Sequence, residues 1–257
     1  MRKNKLLALG LAALMAASVA GCSTPSASVD DTKAAESGSD SSQSAAAGEK
    51  IFRYSNLADI ATIDPDKTNS VADATVSYHI YDGLYRNVQG ELQPATAESY
   101  EVSDDGLVYT FKLRQDTKWS DGQTVTAKDY EYGMKRLCDP AAACPASYLG
   151  AVLKNGAKVS GGELSVDELG VKALDDFTLE ITLENPADYF VSMTSMSAFM
   201  PVREDLVEKY GNEFGGSADK QVYNGPFVVS EYSNGKVELT KNPDYYDNEK
   251  ISLDGVE

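Results

Sequence analysis

A mixed α/β body over residues 49–257 is what this sequence predicts, with antiparallel hairpins interleaved with single helices. Three observations carry that prediction. Two stretches alternate apolar and polar residues behind an acidic turn: Leu107, Tyr109, Phe111 and Leu113 follow Asp104-Asp105-Gly106, and Phe177, Leu179, Ile181 and Leu183 follow Asp175-Asp176. Two capping patterns, Ser70 with Asp73 and Thr126 with Asp129, each open a stretch of helical character. Asn234-Gly235 is a strong short-range hairpin signal.

Taken in order, Arg2, Lys3 and Lys5 precede an apolar, Ala-rich run over 6–21. The run is too short and too rich in small residues to remain as a membrane span, so 1–22 reads as an export signal. Residues 23–48 hold Ser, Ala, Asp and Gly with no aromatic residue. They cannot bury enough surface to offset their ordering entropy and read as a disordered tether. The segment 51–57 (IFRYSNL) is aromatic and β-branched and predicts a strand. A helix near 71–82 follows the cap at Ser70 and stops before Gly83, so the first amides, from Val71 onward, point out of its start. A second helix begins after Thr126, carries Tyr130, Met134 and Leu137 on one face, and ends before Pro140. In 201–211 (PVREDLVEKYG), Val202, Leu206 and Tyr210 align, with Gly211 as the cap. The segment 251–257 opens a further strand.

Charge and residue inventory narrow the function classes. The chain has 23 Lys+Arg against 40 Asp+Glu, a net charge of −17. An acidic surface argues against nucleic acid and anionic lipid as partners. The lone histidine, His79, reads as a packed or solvent-facing residue rather than a catalyst. No nucleophile elbow, phosphate loop or dinucleotide fingerprint occurs. A His/Cys metal cluster cannot be built, and Asp244, Asp247, Glu249 and Asp254 lack calcium-loop spacing, reading as solvated surface. The expectation is a non-enzyme with no cofactor and no metal. Cys138 and Cys144, in CDPAAAC, are a disulfide candidate in an exported chain, two free thiols being the other reading. Trp119, in the stretch 117–130 (TKWSDGQTVTAKDY), is either a ligand platform beside Asp121 or core at a turn feeding a capped helix; the second reading is favoured.

A family resemblance rests on segments in a fixed order. Val19-Ala20-Gly21-Cys22 resembles the lipobox of bacterial lipoproteins, with Cys22 the lipidated residue; an ordinary secretory signal with a chance cysteine is the alternative. After it come IDPDK (63–67), YDGLYR (81–86), 92–114, KWSDGQTVTAKD (118–129), 169–190, YNGPFVVSEY (223–232) and LTKNPDYYD (239–247). Together they resemble the extracytoplasmic solute-binding proteins of the oligopeptide/dipeptide/nickel group, the family 5 receptors of ABC importers.

The resemblance implies a class II periplasmic-binding-protein fold, a two-lobed clamp. Residues 49–82 and 204–257 would form the first lobe, 83–203 an inserted subdomain, and the second lobe would be absent from this N-terminal half. It implies a monomeric lipoprotein on the outer face of the cytoplasmic membrane or in the periplasm. That protein would capture oligopeptides and deliver them to ABC permease subunits, with binding impaired if the second lobe is required. The alternatives are a protein-interacting lipoprotein, or a binder of dipeptide, nickel chelate or haem. Asn69-Ser70-Val71 and Tyr223-Asn224-Gly225 match the family's ligand-facing segments. Helix capping by Ser70 and a tight turn before a strand are the structural readings of the same residues.

Overall fold

The computed structural model describes residues 48–257 apart from Leu57, Asn234 and Gly235. The expected export signal, Cys22 and nearly all of the tether lie outside the described residues, as does the turn Asn234-Gly235.

In chain order the described elements are β1 (Ile51–Phe52), α1 (Val71–Ile80), β2 (Tyr85–Val88), β3 (Glu91–Pro94), β4 (Ala97–Val102), β5 (Val108–Leu113), α2 (Ala127–Cys138), α3 (Gly156–Ser160), β6 (Val171–Asp175), β7 (Thr178–Thr182), α4 (Phe190–Met193), α5 (Glu204–Tyr210), β8 (Phe227–Ser233), β9 (Lys236–Lys241) and β10 (Gly255–Val256). Short 3₁₀ turns join several of them. One four-stranded sheet runs β1-β10-β9-β8, a second runs β4-β5-β7-β6, and β2-β3 is a separate hairpin. The first sheet is drawn from both ends of the described chain and the second from its middle.

Both alternating stretches form neighbouring strands. Phe111 pairs with Leu179 and Tyr109 with Ile181 across β5 and β7. Phe111, Leu179 and Ile181 are fully buried, and α2 packs against β6 and β7. Tyr130, Met134 and Leu137 of α2 have no exposed surface, as the helical spacing predicts. Full burial of each such apolar side chain contributes about 1.5–3 kcal/mol. Phe190 meets Tyr109 edge-on, with ring centroids 5.1 Å apart.

The helix caps match the pattern in the sequence. At α1, Ser70 Oγ accepts from the Asp73 amide at 3.1 Å, and Asp73 Oδ1 accepts from Ala61 at 2.8 Å. At α2, the Thr126 amide donates to Asp129 Oδ2 at 2.7 Å. Gly211 ends α5 with φ 54°, in the region that favours glycine. The Ser70→Ala variant is expected to lose about 1 kcal/mol of stability in urea unfolding, because one orphan amide of α1 loses its acceptor.

Two boundaries differ from the sequence expectation. The strand expected over 51–57 shortens to Ile51–Phe52, because its ladder runs only against Gly255–Glu257: Ile51 pairs with Gly255 in parallel, and Tyr54 N donates to Glu257 O at 2.9 Å. Helix α1 ends at Ile80, because Tyr81 turns to extended backbone (φ −127°, ψ 151°) while its amide still bonds Ser77 O. On either side of Asn234-Gly235, β8 and β9 pair antiparallel, Ser233 against Lys236.

Candidate functional site

The segment Asn69-Ser70-Val71 stands at the open N-terminus of α1. Asn69 is exposed and Val71 is 84% exposed, whereas Ala72 and Asp73 behind them are buried. The first helical amides have no intrahelical acceptor, so this end presents main-chain donors beside an exposed apolar side chain. Thr75 and Tyr78 continue the outward stripe at i+4 and i+7, with Tyr78 half exposed. At the far end of the stripe is a cleft of about 380 Å³, lined by Tyr78, Asp82, Arg86, Ser195, Met200 and Pro226 among others.

Tyr223-Asn224-Gly225 is placed differently. All three residues are buried, and their polar atoms bond within the protein. Asn224 Oδ1 accepts from the Asp82 amide at 3.1 Å, and its Nδ2 donates to Asp82 O at 3.0 Å. Tyr223 OH donates to Ala218 O at 3.0 Å. The Gly225 amide donates to Ile80 O at 2.9 Å, and a Cβ there would lie 2.5 Å from Ile80 C. The segment is therefore a seam against the C-terminal end of α1, leading directly into β8. A ten-residue helix rises about 15 Å. The two predicted segments consequently sit at opposite ends of α1; only Pro226, the neighbour of Gly225, reaches the cleft.

Two charged clusters hold this wall, and sequence reasoning missed both. Beneath Asn69, Arg136 of α2 reaches Asp64 through Nη1 and Nη2 (2.9 and 2.6 Å) and Asp66 through Nη1 (2.7 Å). Burial pushes the Asp66 carboxyl up to about 7 despite the opposing Arg136 charge. For Arg136 burial works the other way, but its bonds to the two carboxylates keep it firmly charged. At the other end of α1, Asp82 Oδ2 accepts from Arg86 (2.8 Å), Tyr245 OH (2.8 Å) and Tyr246 OH (3.1 Å). Burial raises the Asp82 carboxyl above its ordinary value, against those three partners. Arg114 lies 4.0 Å over the Tyr246 ring. The segments 63–67, 81–86 and 239–247 thus carry the residues that meet here. Their cationic partner Arg136 gave no signal in a helix read only for its apolar face.

The remaining singled-out residues are scaffold. Trp119 is buried and meets Tyr81 edge-on at 6.4 Å, in line with the core reading. His79 packs between Tyr54 and Phe227, its Nδ1 2.7 Å from Thr75 O. The candidate disulfide is not formed: Cys138 and Cys144 are free and buried. Cys138 Sγ faces Gly150, while Cys144 Sγ lies 3.5 Å from Arg136 O. Burial pushes the two thiols up to about 11 and about 12.

Residues 91–257 match the family described as bacterial extracellular solute-binding proteins, family 5 Middle. The chain is 39% identical over 215 residues to the Escherichia coli protein named "Probable deoxycholate-binding periplasmic protein YgiS", covering 82% of this chain and 40% of that one. It is 35% identical over 259 residues to the periplasmic oligopeptide-binding protein OppA of Salmonella typhimurium, covering 99% and 45%. Listeria monocytogenes OppA bound to peptide superposes with a TM-score of 0.79 at 37% identity, covering 81% of this chain and 42% of that one. The chain therefore spans less than half the length of these relatives. With a family match over 91–257 and an OppA-type fold, the chain belongs to the bacterial extracellular solute-binding proteins of family 5.

Proposed function

We propose that this protein supplies one wall of a peptide receptor that captures oligopeptides outside the cytoplasmic membrane and delivers them to an ABC permease. In this reading the fold holds residues 49–82 and 204–257 as one lobe and 83–203 as an inserted subdomain; the division of the two large sheets between the ends and the middle of the described chain supports it. Lipidation at Cys22 would tether a monomer to the membrane. No catalytic step is assigned: the task is binding and release, as for the relatives, which are named as binding proteins.

The observation that carries the reading is the exposed main chain at Asn69-Ser70-Val71, where the Ser70 cap takes up the Asp73 amide and not that of Val71. An extended ligand pairing there with backbone groups gains affinity without reading side chains, which suits a receptor for many peptides. Tyr223, Asn224 and Gly225 support this wall from behind, and Pro226 is their contribution to its surface.

A proline at position 71 separates binding from folding. The first helical position favours proline, and the preceding Ser70 is already extended (φ −130°, ψ 159°), so the fold tolerates Val71→Pro. The variant removes one main-chain donor. Calorimetry with tri- to pentapeptides is expected to show about tenfold weaker binding for Val71→Pro. Val71→Ala, which keeps the N–H, should bind nearly as wild type. Equal affinity in all three proteins would remove 69–71 from the site. Binding of deoxycholate, or of a nickel chelate or haem, without any peptide binding would overturn the ligand class.

A further inference from the structure

We propose that Asp64, Asp66 and Arg136 form a proton-sensitive positioning device, in which one proton taken up or released at Asp66 sets how firmly Asn69-Ser70-Val71 is held. The proposal rests on the reading of that segment as ligand-facing.

The geometry is asymmetric. Two buried carboxylates share one guanidinium, and Asp64 is bonded at both oxygens, at 2.9 and 2.6 Å. Asp66 receives Arg136 only at Oδ2; its Oδ1 is buried with no partner among the described residues. Lys67, next in the chain, is turned toward the carbonyls of Ala142 and Ala143. A carboxylate short of one donor and closed off from water carries a poorly compensated charge, which a proton at that carboxylate removes. The titratable groups facing Asp66 are Asp64 and Lys67 on its own turn, Arg136, Tyr132 and Cys138 on α2, Cys144 in the following loop, and Tyr81 after α1. Burial raises the thiols and phenols among them, so Asp66 is the group left to exchange a proton near neutrality. An adjoining cleft of about 490 Å³ is lined by Asp64, Lys67 and Arg136 among others but not by Asp66, so solvent reaches the edge of the cluster and the Asp66 carboxyl stays enclosed.

The path from Asp66 to the exposed segment is short. The Asp66 amide donates to Asp64 Oδ1 at 3.1 Å, closing the turn Pro65–Lys67. Thr68 Oγ1 then bonds Pro65 O at 3.0 Å and Ser197 Oγ at 2.9 Å. Asn69 and the cap residue Ser70 follow directly. A change in the charge of the turn therefore acts on the segment through two residues of backbone. The folded-state carboxyl, near 7, lies above its ordinary value of 3.8. The stabilising contribution is thus complete below about pH 4, is lost progressively as pH rises from there to about 7, and stays lost above neutrality, where the segment is held more loosely.

The test is nuclear magnetic resonance of the folded protein across pH 5 to 9, reading the Asp66 carboxyl carbon, the amides of Asn69, Ser70 and Val71, and their hydrogen exchange. In wild type, the carboxyl and the three amides are expected to titrate together, with a midpoint within about one unit of pH 7. Protection of the Ala74 amide, which bonds Ser70 O, should fall between pH 5 and about 7 and level off above. The Asp66→Asn variant keeps the shape without the charge and should abolish the shared titration, while the amides around Asp82 remain as in wild type. A carboxyl midpoint below pH 5, or amides 69–71 that do not move with it, overturns the proposal. The carboxyl and amide readouts in wild type decide the matter even if Asp66→Asn fails to fold. No ligand is used, so failure of the device and failure of the peptide reading are told apart: the calorimetry tests only the second.

Discussion

Replacing Arg136 with methionine is expected to destabilise the protein by about 3–5 kcal/mol, the range for removing one partner of a buried ion pair. Methionine matches the aliphatic stem of arginine, so most packing under the Phe214 ring, which lies 5.5 Å from the guanidinium, is kept. What is lost is charge compensation for two buried carboxylates. The side chains of Asp64 and Asp66 are 2% and 0% exposed, so water cannot replace the guanidinium. Urea unfolding measures the loss. Adding Asp64→Asn and Asp66→Asn to Arg136→Met should recover part of it, because the unpaired charges rather than the missing contact dominate. A single variant with wild-type stability would mean that the carboxylates accept protons at little cost.

Asn224→Ala is expected to lose about 2–4 kcal/mol, the second large effect. The asparagine amide satisfies both the N–H and the C=O of Asp82, at 3.1 and 3.0 Å, in a position with no exposed surface. Truncation leaves the Asp82 N–H without a partner, at about 1–3 kcal/mol if no water enters, while Asp82 O keeps the bond from Tyr130 OH at 3.0 Å and loses one of its two donors, at about 1 kcal/mol. Asn224 also fixes the point where α1 gives way to the Asp82–Arg86–Tyr245–Tyr246 cluster, so the variant should lower stability before it alters ligand preference. Thermal and urea unfolding beside peptide calorimetry separate the two. Lost affinity at unchanged stability would return Asn224 to direct ligand contact.

Much of the architecture was legible because its causes are local. Alternation placed Phe111 and Ile181, capping patterns placed both helix starts, and helical spacing placed Tyr130, Met134 and Leu137 in the core. The wall at Asn69–Val71 came from family resemblance, because no local pattern distinguishes a ligand-facing helix start from any other capped one. What stayed hidden depends on distant pairing. Arg136 lies 72 residues from Asp64 and 70 from Asp66, and no periodicity links them. The burial of Asn224 was equally invisible, since an asparagine beside a glycine reads as a turn whether it faces water or Asp82. Cys138 and Cys144 show the limit of spacing as evidence: six residues allow a bridge, but side-chain direction decides whether sulfurs meet.

The parallel pairing of β1 with β10 bears on how the chain reaches its native state. Lys50 and Asp254 hydrogen-bond across 204 residues of sequence. Closing a loop of that size carries an entropy penalty of about 5 kcal/mol from its length dependence alone. A strand of two residues offers little in return, so this contact is expected to form after β8 and β9 have joined. The sheet built on residues 97–182 closes shorter loops and can assemble first. Folding rate should therefore be governed by the late docking of Ile51–Phe52, the step with the highest contact order in the described chain.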